Sequence, residues 1–366
     1  MRVLMTVDAV GGVWTYAMEL VRALAPHGVE VTLAALGPNP SPAQAAVARS
    51  LRNADLVSFG GRLEWMEEPW ADVERNGERL LALADECTAD LVHVNGYAHA
   101  TLPWGRPVVV VAHSCVTTWW RAVHGEDPPA AWREYRDRVA AGLLTADAVV
   151  TPTAAFLARL REAYGDVQRS HVIRNGVGAG RVPARRSAMR EPVVFACGRL
   201  WDDAKGMGTL DAAARGLAWR VKLAGERVAP DGRTFTPLAA ELVGALTPTE
   251  VADRVARAAL FAHPSLYEPF GLAPLEAARA GCALLLSDLP ELRELWSGAA
   301  TFVPPGDVGA WHRALGQAIA DAPARRASAA AARERAAEFS AESMAAAYRR
   351  LYESLLHGAP TKRAVA

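Results

Sequence analysis

Two doubly wound parallel-sheet domains of the α/β class are the architecture this sequence predicts, and three observations predict it. Short β-branched runs alternate with longer stretches of helical period, as parallel strands joined by crossover helices require. The runs are nearly continuous in apolar character, which suits strands buried on both faces. At 366 residues the chain also exceeds the size at which a single hydrophobic core stops growing.

The strands of the first half are expected at Arg2–Val7, Val29–Ala34, Leu91–Val94, Pro107–Ala112 and Ala148–Thr151, with a helical stretch such as Tyr16–Ala25 between neighbours. After Ile173–Val177 the run Gly178–Arg190 is rich in Gly, Arg and small residues and has no period, so it reads as a linker. The pattern restarts at Pro192–Cys197 and continues with Arg220–Ala224, Leu242–Val243, Leu260–Ala262, Ala283–Ser287 and Thr301–Val303. Ala322 to Leu356 is Ala- and Arg-rich and helical, broken near Phe339-Ser340, where Ser340 is placed to cap a last helix. That helix carries Met344, Tyr348, Leu351, Tyr352 and Leu355 at three- and four-residue spacing. It therefore has an apolar face to bury and is expected to return to the first domain. The domains are expected at 1–178 and 179–340, with 341–366 as the returning helix.

Bulk composition narrows the function classes. Hydrophobic residues are 51% and charged residues 22% of the chain, values of a globular protein, with disorder expected only at Pro360–Ala366. A formal net charge of zero argues against nucleic acid as the main partner. Residues 1–180 hold 16 Arg, no Lys and 20 Asp plus Glu out of chain totals of 40 basic and 40 acidic residues. The first part is thus about minus four and the rest about plus four, so a basic second domain suits an anionic ligand. Cys87, Cys115, Cys197 and Cys282 lie far apart without a Cys-x-x-Cys pair, which indicates buried thiols and neither a zinc site nor a redox motif. The opening Met-Arg-Val-Leu-Met-Thr-Val is too short for a signal peptide, and no run approaches the ~18 apolar residues of a membrane span. A cytoplasmic chain without integral membrane association is expected, of open oligomeric state.

In open parallel sheets ligands bind beyond the carboxyl ends of the strands, so residues just after strands are the first candidates. Glu268-Pro-Phe-Gly-Leu-Ala-Pro-Leu-Glu276 follows the strand-like Leu260–Ala262. Pro269, Gly271 and Pro274 are expected to hold off a regular helix until Leu275, with Glu268 on a loop, Glu276 in the first helical turn and Gly281 ending the helix. Free N–H groups near Gly271 to Leu275 then suit a phosphate or sugar oxygen, and two carboxylates suit hydroxyls. Glu276 alone is better explained as an acid offsetting a helix dipole. Arg199 and Lys205, after the strand ending Cys197-Gly198, can neutralise a diphosphate without a metal. The pair Gly11-Gly12 lies at a strand-to-helix turn, where backbone can approach a phosphate. Gly-x-Gly-x-x-Gly and Walker A loops are absent, as is Asp-x-Asp. His113 closes the run Pro107–Ala112, either as a site residue or as a satisfied structural imidazole. Trp65, Trp70, Trp119, Trp120 and Trp132 crowd the first half and suit either sugar stacking or packing.

The nonamer resembles the Glu-x7-Glu signature of the retaining glycosyltransferases of family 4, and the likeness extends through Glu276–Ala283 and Pro290–Glu294 to Val303–Asp307. Gly198-Arg199-Leu200 with Lys205-Gly206 is similar to the basic element of the same family. The resemblance implies the GT-B fold, with two Rossmann-like domains facing a cleft: acceptor domain first, donor domain second. It implies retaining transfer of a hexosyl group from a nucleotide diphosphate sugar, UDP-linked, to an acceptor hydroxyl, with no metal or other cofactor. Arg199 and Lys205 would hold the diphosphate, Gly11 and Gly12 would lie beside it, and Glu276 would hold the ribose. Glu268 with Phe270, Gly271 and Leu272 would meet the transferred sugar, and His113 would touch it near the reacting carbon. Asn95, Trp119 and Trp120 are the acceptor-side candidates, although Ser114 and His93-Val94-Asn95 depart from the family pattern. A sugar-nucleotide epimerase and a non-catalytic sugar-nucleotide-binding protein are the alternatives.

Overall fold

A computed structural model describes residues 1–181, 190–229 and 231–358. The first sheet contains β1 (Arg2–Asp8), β2 (Glu30–Leu36), β3 (Ala54–Gly60), β4 (Leu91–Val94), β5 (Val108–Val111), β6 (Ala148–Thr151) and β7 (Ser170–Val172). All pairings are parallel, in the order β3-β2-β1-β4-β5-β6-β7. The second contains β8 (Glu191–Cys197), β9 (Arg220–Ala224), β10 (Glu241–Gly244), β11 (Ala258–His263), β12 (Ala283–Ser287) and β13 (Thr301–Val303), ordered β10-β9-β8-β11-β12-β13. The chain reverses direction of growth between β1 and β4 and again between β8 and β11, so each sheet has a crevice at its switch point.

Strand periodicity divides each core in two. Val3, Met5 and Val7 of β1 face one side with Val109 and Val111 of β5, while Leu4 faces the other with Val108 and Val110. In the second sheet Phe195, Leu284 and Leu286 face one layer, and Val194, Ala196 and Leu285 the other. The last helix, Ala341–His357, packs Met344, Tyr348, Leu351 and Tyr352 onto the first-sheet core beside helix Gly12–Leu24. The Ser340 hydroxyl accepts from the Ser343 N–H at 3.0 Å and caps that helix.

The chain passes between the two sheets at adjacent points. The Val177 N–H donates to Phe339 O (3.2 Å) and the Ala341 N–H to Val177 O (3.3 Å). A Cβ on Gly176 would lie 2.1 Å from Ser340 O, so only glycine admits this approach.

Three details depart from the sequence expectation. Two strands escape it: β3 and β7 are edge strands whose residues are mostly half-exposed or exposed, so neither has an apolar run. The helix of the nonamer begins at Leu272, not Leu275, because Pro274 occupies its third position, where the N–H has no intrahelical partner to lose. Glu276 consequently sits in the second turn and not the first. Of the linker read at Gly178–Arg190, residues 182–189 lie outside the described residues, as does the tail Pro360–Ala366. No described helix is long and apolar enough to cross a membrane.

Candidate active site

The loop after β11 carries a charge cluster at the carboxyl end of the second sheet. Glu268 accepts from Lys205 Nζ at 2.9 Å and lies 3.0 Å from His263 Nε2. Burial pushes the Glu268 carboxyl up, but the Lys205 ammonium and the His263 hydrogen bond outweigh it and hold the group well below the usual carboxylate range. Lys205 is aimed by its turn: Asp202 accepts from the Ala204 N–H (3.0 Å) and from Arg199 (2.7 Å). Gly206 then takes φ +61°, where an added Cβ would lie 2.0 Å from Pro264 O. One carboxylate, Asp202, therefore sets the positions of both basic residues.

The strand-to-helix turn of the first domain faces this cluster. Gly11 has φ +87° and precedes helix Gly12–Leu24 with no side-chain cap, leaving first-turn N–H groups open. Built Cβ atoms on Gly11 and Gly12 would lie 3.8 Å from Arg199 Nη1 and 3.7 Å from Leu272 Cδ1. The structure thus brings Gly11, Gly12, Arg199 and Leu272 together across the cleft. On helix Leu272–Ala280 the Leu275 N–H already donates to Gly271 O (3.2 Å) and Pro274 has none, so the open donors of that turn lie before Pro274. Phe270 is buried against Phe339, ring centroids 6.0 Å apart, and presents backbone rather than its ring.

The loop is tied to the opposite domain. Tyr267 Oη accepts from the Cys115 N–H (3.2 Å) and bonds Thr118 Oγ1 (2.8 Å), and Thr153 Oγ1 donates to Pro269 O (3.0 Å). Glu294 accepts from the Ala154 and Ala155 N–H groups at 3.1 and 2.9 Å, and Arg159 pairs with the buried Glu291.

His113 stands at the carboxyl end of β5, its Nε2 2.8 Å from Asn95 Oδ1. Asn95 also donates from Nδ2 to Thr6 O (2.6 Å), which fixes its amide orientation. His113 must then donate from Nε2, and His93, 3.1 Å from the same oxygen, must do likewise while its Nδ1 accepts from Tyr352 Oη at 2.6 Å. Burial drives His113 down to about 3 and His93 to about 4, so both imidazoles are neutral. A residue of the returning helix thereby braces the first-domain wall.

The five tryptophans separate. Trp119 and Trp120 pack edge-to-face on one another and at edge or tilted angles on His124, ring centroids 4.6–5.9 Å apart, on helix Val116–His124. Trp65 instead lines a cavity in the first-domain wall, with Asp8, Glu64 and Asn95. Sequence reasoning assigned no role to His263, Asp202, Asp8 or Glu64. His263 and Asp8 had a readable signal, since each ends a strand as His113 follows one; Glu64 and Asp202 reach the site only through loop folding. A wider depression of ≈510 Å³ between Pro128–Asp137 and Tyr164 shares no residue with the cleft. Among the described residues no three His, Cys, Asp or Glu side chains are grouped as a metal-ligand set.

Residues 10–181 match the family model for Glycosyltransferase Family 4 and residues 191–321 that for Glycosyl transferases group 1. The chain is 32% identical over 229 residues to glycogen synthase of Mycobacterium tuberculosis, covering 58% of this chain and 55% of that protein. It therefore spans about half the length of that relative. It is 30% identical over 356 residues to D-inositol 3-phosphate glycosyltransferase of Nocardia farcinica, covering 85% of this chain and 77% of that protein. Among solved structures, Anabaena HepE in complex with UDP-glucose superposes with a TM-score of 0.79 at 17% identity, covering 97% of this chain and 100% of that one. The two parallel sheets, the facing crevices and these matches together place the chain in the family 4 glycosyltransferases, with the GT-B fold.

Proposed function

We propose that this protein transfers a hexosyl group from a UDP-linked sugar to an acceptor hydroxyl, with retention at the anomeric carbon and without a metal. The carrying observation is the Lys205–Glu268–His263 cluster with Arg199 on one side of the cleft and Gly11 and Gly12 on the other. A diphosphate placed there meets two cations and the open N–H groups of a helix start, which supply counter-charge without an ion. UDP as the carrier is supported by HepE, which binds UDP-glucose in the same fold.

In this reading the bond from C1 to the diphosphate oxygen breaks through an oxocarbenium-like transition state, with charge gathering on the departing phosphate. Arg199, Lys205 and the Gly12 turn stabilise that charge in a site from which closure excludes water. The acceptor oxygen bonds C1 on the same face, and its proton passes to the departing phosphate oxygen. Glu276 holds the ribose hydroxyls. Glu268, the Gly271–Leu272 backbone and neutral His113 hold the transferred sugar. His113 contributes hydrogen bonding and no charge, as its buried, neutral state requires.

The test is incubation with a panel of nucleotide sugars, following free nucleotide with and without acceptors and with excess chelator. Acceptor-dependent nucleotide release that survives the chelator is the expected result. Neither binding nor turnover with any nucleotide sugar would sink the proposal. Release of a rearranged sugar nucleotide with no acceptor would replace it with an epimerase.

A further inference from the structure

His263 is the last residue of β11, in parallel register with Leu286 of β12, and only 3% exposed. Its ring lies within 17° of parallel to that of Phe261, two residues earlier on the same face of the strand, with centroids 6.3 Å apart. Strand and core therefore fix it. Its Nε2 lies 3.0 Å from Glu268 Oε2, while its Nδ1 is closed to solvent and has no hydrogen-bond partner among the described residues, so the proton belongs on Nε2 as the donor. Lys205 Nζ reaches the same oxygen at 2.9 Å. Both partners thus occupy Oε2, and Oε1 has no hydrogen-bond partner among the described residues. Glu268 leaves 14% of its side chain exposed and Oε1 is not sealed from solvent, so Oε1 is the oxygen open to a ligand. The two partners differ in mobility. Lys205 carries a point charge on a four-carbon stem at the end of a short turn, whereas His263 carries a rigid ring on a strand. On either side of Glu268, Tyr267 and Pro269 are bonded to the first domain, so rotation of the Glu268 side chain is the freedom left to restrict.

Resting on the donor reading above, we propose that His263 is a positioning residue: it holds Glu268 by Oε2 so that Oε1 faces the transferred sugar, and it keeps that orientation when the diphosphate draws the Lys205 ammonium away. A diphosphate carries more charge than a carboxylate and competes for Lys205 as soon as it enters. A carboxylate held by that cation alone would then be free to change rotamer, and the N–H of a ring fixed on the strand removes that freedom. Packing does not require the imidazole. An apolar side chain would fill a strand end that is 3% exposed without the desolvation cost of a polar ring, and the contact with Glu268 offsets that cost. His263 meets no substrate atom in this account and acts through Glu268.

The experiment is a double-mutant cycle between His263 and Glu268, with the nucleotide sugar that the wild type turns over fastest and its free nucleoside diphosphate as probes of turnover and calorimetric binding. His263→Leu removes the donor, His263→Asn keeps a carboxamide that stops short of Oε2, and His263→Gln returns an N–H near the position of Nε2. In the Leu and Asn variants kcat/KM and nucleotide-sugar affinity are each expected to fall by about tenfold, the scale of a hydrogen bond to a charged group, with affinity for the free nucleoside diphosphate changed by less than about twofold. His263→Gln is expected to stay within about threefold of the wild type, and in a Glu268→Ala background the change to Leu or Asn is expected to cost less than about twofold. If His263→Leu does not fold, the Asn and Gln variants carry the comparison. Wild-type kcat/KM in the Asn variant overturns the inference while the donor reading stands. An undiminished loss in the Glu268→Ala background also overturns it, since His263 would then act on the fold and not through Glu268. If the wild type binds no nucleotide sugar, the donor reading falls first and takes this one with it.

Discussion

The two walls of the cleft hold charge in opposite ways. On the second-domain wall Glu268 stays ionised although it is buried, because Lys205 and His263 lie within hydrogen-bonding distance. On the first-domain wall burial wins: Asp8 rises to about 7, Glu64 rises, and His93 and His113 fall to about 4 and 3. The partners there are backbone amides, a carboxamide and phenols, which orient a group without compensating its charge. A counter-charge in contact therefore decides whether desolvation expels the charge or not. A wall that keeps its charges suits a ligand that brings its own, and a wall that sheds them suits hydroxyls.

Removing the cation is the harshest way to break this contrast. Lys205→Ala leaves Glu268 buried with only His263 and removes a donor from the proposed diphosphate site. Turnover is expected to fall by roughly a thousandfold, with the fold retained as judged by thermal melting. Wild-type turnover in this variant would end the diphosphate role.

Asp8 tests the other wall through pH. Its folded pKa lies above the unfolded value of ~3.9, so the stability it contributes is full below about pH 4 and is lost as pH rises through about 7. Asn at this position accepts from the Val10 N–H and does not titrate. Denaturation of Asp8→Asn beside the wild type should show a difference in favour of the variant that grows from pH 4 to 7 and then levels off, reaching on the order of 4 kcal/mol. A flat difference over that range would show that Asp8 is not held protonated.

The ribose role of Glu276 is a smaller effect. Glu276→Ala should weaken nucleotide affinity by about tenfold, the scale of a hydrogen bond to a charged group, in titration calorimetry. Unchanged affinity would return Glu276 to the role of an ordinary helix acid. The smallest expected effect concerns the tie between the walls: Tyr267→Phe removes the hydroxyl shared by the Cys115 N–H and Thr118. A loss of ~1 kcal/mol in chemical denaturation is expected, and a loss near zero would mean that water replaces the hydroxyl.

Legibility follows the same division. The residues proposed for the donor lie in two short segments, 198–206 and 268–276, each soon after a strand, so contiguous motifs carry the family resemblance that proposes them. Fully buried strands such as β5 and β6 were readable for a similar reason, since a continuous apolar run encodes them locally. The edge strands β3 and β7 have no such run and depend on a neighbour for their hydrogen bonds. Pro274 misled the helix boundary because a proline that breaks a helix interior is harmless in a first turn.

By itself the sequence determined the two-sheet α/β architecture and the GT-B family, and it proposed the donor-side residues, because each of these rests on short-range periodicity or on contiguous motifs. Tertiary structure alone decided that His263 completes the Glu268 pair, that Tyr352 of the last helix reaches His93, and that Asp8, Glu64, Trp65 and Asn76 share one cavity. Those contacts join residues up to 259 positions apart, and their electrostatics depend on burial that no local pattern encodes.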